Sequence, residues 1–189
     1  MKKTLLDKYQ LRDWFNSLEN SEKSILISSC PLFDSPIDTP YNSDSAAYFL
    51  ANTLQWYNKK ENAVICLKVV SKVCELVNSQ GSFAVLDLHF IYHNLIQTLY
   101  RHRDLDGIFN MCVNICERQI EIAPQAAAAF KSDTSFTGLP THAGFEQLAI
   151  IEKKNKNWSR VLELCENAKA QGWGGDWDKR INEANKYIS

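Results

Sequence analysis

Metal-ligating side chains stand in helical register at two places in the sequence. His89 and His93 are four positions apart, and Cys112 and Cys116 repeat that spacing further along the chain. Residues at i and i+4 share one helix face, so each pair could direct two ligands at a single zinc ion. However, Phe90 occupies the position where the zinc-protease motif requires glutamate, and Cys112 falls on an inward-facing position. We interpret these side chains as packing residues and expect no metal and no cofactor.

The sequence shows none of the arrangements typical of nucleophilic or acid–base catalysis. It contains no Gly-x-Ser-x-Gly turn, no glycine-rich phosphate loop and no carboxylate pair at a suggestive spacing. Six cysteines and four histidines allow many Cys–His pairings, so any one of them carries little information. We expect no catalytic residue and rank an enzyme third among the possible functions.

Basic residues cluster at three predicted turns between helices. A cation at a helix C-terminus complements the helix dipole by roughly 0.3–1 kcal/mol, and this is the interpretation that we favour. The alternative is a basic strip that binds phosphates or an acidic partner, although Glu61, Asp104 and Asp106 partly cancel its charge. This basic edge consists of Lys59, Lys60, Arg101, Arg103, Lys153, Lys154 and Lys156.

Composition restricts the class of protein. The chain has 189 residues, of which 45% are hydrophobic and 23% charged, with only 7 Gly and 5 Pro. That length and apolar fraction suit one domain with its own core, and the scarcity of turn residues counts against an all-β fold. The net charge is −1, so no overall field attracts nucleic acid or an anionic membrane.

Cysteine usage and the N-terminus predict the compartment. Five of the six cysteines lie in apolar helical patterns, where a free thiol behaves as a small buried hydrophobe. No apolar segment follows Lys2 and Lys3, as a signal peptide would require, and no stretch reaches the roughly 18 apolar residues of a membrane span. We predict a cytoplasmic protein with reduced thiols and no membrane contact.

Apolar residues recur with helical rather than strand periodicity. One run of steps of three and four comprises Val85, Leu88, Tyr92, Leu95 and Leu99. At 100° per residue, His89 and His93 lie about 100° or more from the core stripe formed by Leu88, Leu95 and Leu99. Residues 1–30 predict two short helices with Ser21 as an N-cap between them, and the prolines of residues 31–40 predict an extended linker. Residues 172–189, which include Trp173 and Trp177, are predicted to end in a helix that caps the helical stack.

Three predicted helical hairpins align with one another. In each, two apolar positions are separated by thirteen residues and are followed by apolar or small residues at steps of four and three. The aligned sets are Leu50, Ala63, Leu67 and Val70; Leu95, Ile108, Cys112 and Ile115; and Leu148, Val161, Cys165 and Ala168. This pattern, over residues 44–171, resembles the tetratricopeptide repeat (TPR).

The resemblance implies an all-α fold of antiparallel hairpins stacked in a short right-handed superhelix, with residues 1–189 as one domain. It also implies a non-enzymatic scaffold that binds a protein or peptide on its concave face. The groove residues that it assigns are Tyr48, Asn52, Gln55, Trp56, His93, Gln97, Tyr100, Arg101, Glu146, Ile150, Lys153 and Lys154, and His89 joins that face.

Two alternatives remain open at this stage. The three hairpins are 45 and 53 residues apart, whereas TPR units repeat every 34 residues or so. The extra residues leave room for Pro31–Tyr41, or for Phe136 with Leu139, to pack inside the groove. The second alternative is a nucleic-acid-binding accessory protein that uses the basic edge.

Overall fold

The computed structural model describes residues 3–41, 45–79, 81–133 and 135–188. Over these residues it is all-α, which confirms the predicted fold class, and it contains two isolated bridge pairs but no strand. The helices are α1 (Leu5–Lys8), α2 (Arg12–Ser17), α3 (Asn20–Ser29), α4 (Ala46–Tyr57), α5 (Ala63–Ser79), α6 (Val85–Arg101), α7 (Ile108–Glu121), α8 (Ala123–Ser132), α9 (Ala143–Lys154), α10 (Trp158–Gln171) and α11 (Trp177–Ile188).

The chain divides into two compact units, where the sequence predicts one domain. Unit 1 ends at Phe83 and unit 2 begins at Ala84, in the segment between α5 and α6. Of the three predicted hairpins, α4–α5 lies in unit 1, while α6–α7 and α9–α10 lie in unit 2. The groove residues therefore fall into two sets, one in each unit.

Unit 1 begins with three short helices rather than the predicted two. The N-cap predicted at Ser21 is wrong, because α3 begins one residue earlier with Glu19 as its N-cap. The Glu19 amide donates to the Glu22 carboxylate at 2.9 Å, which closes a capping box. Glu22 is buried and pairs with Lys68 of α5 at 2.6 Å, so this cap also ties the N-terminal helices to the first hairpin.

The proline-rich segment of unit 1 packs against α4. It opens with a 3₁₀ turn over Pro31–Asp34, in place of the fully extended linker that the sequence predicts. Phe33 in this turn is buried, with its ring 6.0 Å from that of Phe49. Ser45 caps α4 by accepting from the Tyr48 amide at 3.2 Å. The sequence Asn-Ser-Asp at positions 42–44 also predicts N-cap residues, and these positions lie outside the described residues.

Gln119 joins three helices in the centre of unit 2. Its side-chain amide donates to the carbonyl of His89 in α6 at 2.9 Å, and its oxygen accepts from the Gly144 amide in α9 at 2.7 Å. A Cβ atom on Gly144 would lie 2.8 Å from the carbonyl oxygen of Cys116. The close approach of α7 and α9 therefore requires glycine at this position.

Two further helices complete unit 2. Helix α8 follows α7 after a single residue, carries Pro124 in its first turn and packs against α6. Helix α11 packs against α10, and Trp177 at its start is buried with its indole N–H donating to the Trp173 carbonyl at 2.7 Å. The sequence pattern does not separate α8 from α7, because no turn residue stands between them.

Candidate functional site

In unit 1 the proline-rich segment reaches one of the predicted groove residues. The amide of Asn52 donates to the hydroxyl of Tyr41 at 3.1 Å, and the Tyr41 ring contacts Phe49 at 5.5 Å between centroids. Burial raises the pKa of Tyr41. Trp56 is 48% exposed. The proline-rich segment thus contacts one residue that the TPR resemblance assigns to the groove.

The remaining unit 1 candidates are divided between half-buried and exposed positions. Tyr48 is half-buried, and Gln55 is exposed with its side-chain amide donating to the Asn52 carbonyl at 3.1 Å. Lys59 and Lys60 of the basic edge are both exposed.

In unit 2, His89 lies in the core rather than on an open groove face. Its side chain is 1% exposed and stacks on Trp173, with centroids 5.3 Å apart and an interplanar angle of 3°. Phe130 of α8 lies 5.4 Å away, edge to face. The wheel argument for His89 is wrong because α8 and Trp173 cover a second side of α6, while Leu88 of the expected core stripe is only half-buried.

The segment after α10 positions Trp173. Gly172 ends α10 with φ of +91°, a left-handed conformation that favours glycine, and Trp173 donates its amide to the Ala168 carbonyl at 3.1 Å. The Gly174 amide then donates to the Pro140 carbonyl at 3.0 Å. These bonds hold the Trp173 ring against His142, at 4.7 Å between centroids.

His142 is the second buried histidine of this cluster. Its Nδ1 atom accepts from the Phe145 amide at 3.3 Å and so caps α9. Its Nε2 atom and the Nδ1 atom of His89 have no hydrogen-bond partner in the part of the chain that the structure describes. Burial lowers the pKa of His89 to about 4 and that of His142 to about 3, so both rings are neutral at pH 7.

The histidine and cysteine pairs do not meet as a metal centre. His93 is half-buried, which lowers its pKa, and the Cys112 thiol is buried inside the α6–α7 hairpin. The hydrogen bond with the Cys112 thiol, together with burial, raises the pKa of Cys116. Over residues 3–41, 45–79, 81–133 and 135–188 no group of three or more His, Cys, Asp or Glu side chains is placed to hold a metal ion.

The C-terminal end of α6 is different, because an open cavity lies beside it. The cavity measures about 210 Å³ and is lined by the ring of Tyr100 together with charged and apolar side chains. Lys154, at the end of α9, donates to the Tyr100 hydroxyl at 2.8 Å. The Arg103 guanidinium lies over the same ring, 4.3 Å from its centroid, and donates to the Tyr100 carbonyl at 2.7 Å. The other lining residues are Asp104, Phe109, Ile151 and Asn155.

Helix α11 contacts two other predicted groove residues. Glu146 pairs with Arg180 at 3.2 Å, and Lys153 pairs with Glu183 at 2.7 Å. Both are therefore engaged within unit 2. Of the remaining candidates, Ile150 is half-buried, and Gln97, Arg101 and Lys156 are exposed.

Sequence reasoning finds part of the cavity and misses the rest. Tyr100, Arg103 and Lys154 are all among the candidates, but neither Phe109 nor Ile151 is. One signal does exist for Phe109, because it stands outside the apolar pattern of α7 that contains Ile108 and Cys112. In the structure Phe109 is 38% exposed.

Comparisons with protein-family models, curated proteins and solved structures found no match to this chain. Within the described residues, no helix combines the length and apolar character that crossing a bilayer requires. The function of the chain is therefore inferred from its own geometry.

Proposed function

We propose that this chain is a non-enzymatic protein- or peptide-binding module built from TPR-like helical hairpins. Its binding surface is the face of unit 2 where α6 and α9 end. The observation that carries the proposal is the contact between Tyr100 and Lys154, 54 residues apart in sequence, at the edge of an open cavity. Both are groove positions that the resemblance assigns independently of that cavity.

The chemistry of the cavity supports binding by side chains of a partner. Aromatic rings with polar tips and arginine are the residue types that most often anchor protein interfaces. Here Tyr100 supplies the ring and Arg103 the cation, while Phe109 offers exposed apolar surface. A cavity of about 210 Å³ lies below the 300–1,000 Å³ of typical small-molecule pockets, so it suits one or two amino-acid side chains.

Nucleic-acid binding through the basic edge is the competing function. Its charge is reduced in unit 2, because Lys153 pairs with Glu183 and Asp104 lines the same cavity as Arg103. A strand of nucleic acid gains most of its affinity from several unpaired cations in a row. The peptide-binding proposal needs no such row.

Partner capture tests the proposal. The purified protein is immobilised and incubated with native extract, with and without nuclease, and retained proteins are identified by mass spectrometry. The double variant Tyr100→Ala with Lys154→Ala is compared with Asn167→Ala, which changes an exposed residue of α10 that neither lines the cavity nor belongs to the predicted groove.

Proteins retained by the wild type and by Asn167→Ala, but lost from the double variant with an unchanged melting temperature, support the proposal. Equal retention by all three proteins contradicts it. Retention that nuclease abolishes favours the nucleic-acid alternative instead.

A further inference from the structure

We propose that the cavity of unit 2 binds an acidic side chain within a peptide, with Arg103 and Lys154 as its cationic partners. The apolar residue next to that acid in the peptide then packs against the exposed ring of Phe109, in a cavity that Ile151, only 3% exposed, also lines. This inference rests on the proposed function and specifies the class of peptide.

Tyr100 holds both of these cations, although neither has a carboxylate partner among the residues that the structure describes. Four other cations of unit 2 each have a carboxylate partner: Lys153 with Glu183, Arg160 with Glu117, Lys169 with Asp178, and Arg180 with Glu146. Among the described residues Arg103 and Lys154 form no ion pair, and both are held by Tyr100. Tyr100 therefore fixes the positions of both cations, and their charges remain available to an acidic group of a ligand.

The net charge of the cavity also favours a carboxylate as its ligand. Two cations and the single carboxylate of Asp104 leave a net charge of about +1. That charge matches one carboxylate better than a phosphate, which carries about −1.5 to −2 at pH 7. The fork of guanidinium N–H groups on Arg103 suits the two oxygens of a carboxylate.

The contacts of the Tyr100 ring favour a peptide over a nucleobase as the ligand of the cavity. Single-stranded nucleic acid binds by stacking successive bases on open aromatic faces. Arg103 already covers a face of Tyr100 at 4.3 Å, and Lys154 lies 5.5 Å from the same ring centroid. The apolar wall of Phe109 and Ile151 lies beside these cations, so an acid and its apolar neighbour can occupy the cavity together.

The test uses two capped dipeptides that differ only in charge, Ac-Leu-Glu-NH₂ and Ac-Leu-Gln-NH₂. Each is titrated into the full chain, and binding is followed by NMR at Tyr100, Phe109 and the Ile151 methyl group. We expect the glutamate peptide to shift these signals with saturation and to bind about tenfold or more tighter than the glutamine peptide, since the difference is one charge-assisted contact.

Variants of the chain assign the effect to the cavity. Arg103→Gln and Lys154→Gln should each weaken binding of the glutamate peptide about tenfold and reduce its preference over glutamine. Tyr100→Phe keeps the ring but removes the hydroxyl that holds Lys154, so we expect a smaller loss of about threefold. The matched control is Lys156→Gln, an exposed cation of the same turn that does not line the cavity, and its affinity should equal that of the wild type.

Three results would overturn the inference. The first is equal affinity for the two dipeptides. The second is a loss of affinity in Lys156→Gln as large as that in Arg103→Gln or Lys154→Gln. The third is displacement of the bound glutamate peptide by hexauridylate at a lower concentration than unlabelled glutamate peptide requires. If any of these occurs while partner capture still depends on Tyr100 and Lys154, the proposed function stands and only the acidic specificity is wrong. Loss of that dependence in the capture experiment would contradict the proposed function itself.

Discussion

The two ends of α6 carry rings on the face that the TPR resemblance assigns to the groove. One ring is enclosed by other side chains of unit 2, and the other lies beside an open cavity. His89, in the N-terminal half, is enclosed by Trp173, Phe130 and His142. Tyr100, three turns later, holds Arg103 and a lysine of α9 beside an open cavity. The difference arises from what reaches each half: α8 and the segment after α10 cover the first, and the α6–α7 turn and the end of α9 border the second.

This comparison separates the residues that stabilise unit 2 from those that remain available to a partner. The enclosed half combines aromatic packing with a hydrogen-bonded glutamine, and substitutions there should reduce the free energy of unfolding. The open half has charged groups in water, whose mutual contacts contribute little to stability. Substitutions at the two ends should therefore have opposite consequences for folding and for binding.

Trp173→Ala should have the largest effect on stability. It removes a buried ring that contacts both His89 and His142, so we expect a loss of about 3–5 kcal/mol in the free energy of unfolding. Urea denaturation followed by circular dichroism measures it. The control is Trp158→Ala, which removes a half-buried indole that stacks on exposed Tyr187 and should cost clearly less. Equal losses in the two variants would show that the enclosed ring cluster contributes no more to stability than the exposed ring stack.

Acidification should destabilise the enclosed half before carboxylates take effect. The folded pKa values of His89 and His142, about 4 and about 3, lie below the ordinary value of 6.5. The unfolded state therefore binds protons first, and stability falls as the pH drops below about 6.5 towards 4. Each histidine contributes a slope approaching about 1.4 kcal/mol per pH unit in that range.

Urea midpoints at about pH 7, 6 and 5 measure this slope for the wild type and for His142→Asn. Asparagine keeps a side-chain acceptor at the N-cap of α9 but does not titrate, so the slope should fall by the share of one histidine, while His89 and His93, whose pKa values are also lowered, keep theirs. The pKa of Glu22 is lowered mainly by Lys68, so its contribution to stability is lost only at a pH below the ordinary pKa range of glutamate. Glu22 therefore adds little to the slope measured between pH 7 and 5. An unchanged slope in the variant would assign the acid sensitivity elsewhere.

Gly144→Ala should have an intermediate effect. The added methyl group would meet the Cys116 carbonyl at 2.8 Å and push α9 away from the Gln119 side chain, at a cost of about 1–3 kcal/mol. Gly138→Ala is the matched control, because nothing lies within 4 Å of its Cβ position. The melting temperatures of the two variants compare them, and equal values would contradict the close packing of α7 and α9.

Substitution at the open end should have the smallest effect on folding. Lys154→Gln removes an exposed cation that donates to the Tyr100 hydroxyl, and we expect less than about 0.5 kcal/mol. The same denaturation experiment measures it. A loss as large as that of Gly144→Ala would show that this end is structural and would weaken its interpretation as a binding surface.

Much of the architecture is predictable from the sequence because helix periodicity is a local signal. The apolar positions at 50, 63, 95, 108, 148 and 161 all lie in α-helices of the structure, and the all-α class is correct. The start of α3 is not predictable from its serine, because a glutamate three residues after Glu19 completes a capping box that the N-cap preference alone overlooks.

The candidate site is predictable only in part, for a physical reason that His89 illustrates. A wheel projection shows which side of one helix is apolar, but it contains no information about a cover that comes from elsewhere in the chain. Trp173 and Phe130 supply such a cover for His89. Likewise the lysine cluster of α9 gives no sign that Lys153 meets Glu183, which stands 30 residues later.

The stack of Trp173 on His89 also sets an order of events during synthesis of the chain. The tryptophan stands 84 positions after the histidine. At about 5–20 residues per second, the ribosome adds it about 4–17 s later, a long time compared with hairpin formation. During that interval α6 and α7 can pair while the ring cluster stays uncovered. Ribosome-bound chains stalled before residue 173 should therefore recruit a chaperone that recognises apolar surface. Chains extended by a C-terminal linker long enough to bring Trp177 out of the ribosome should release it.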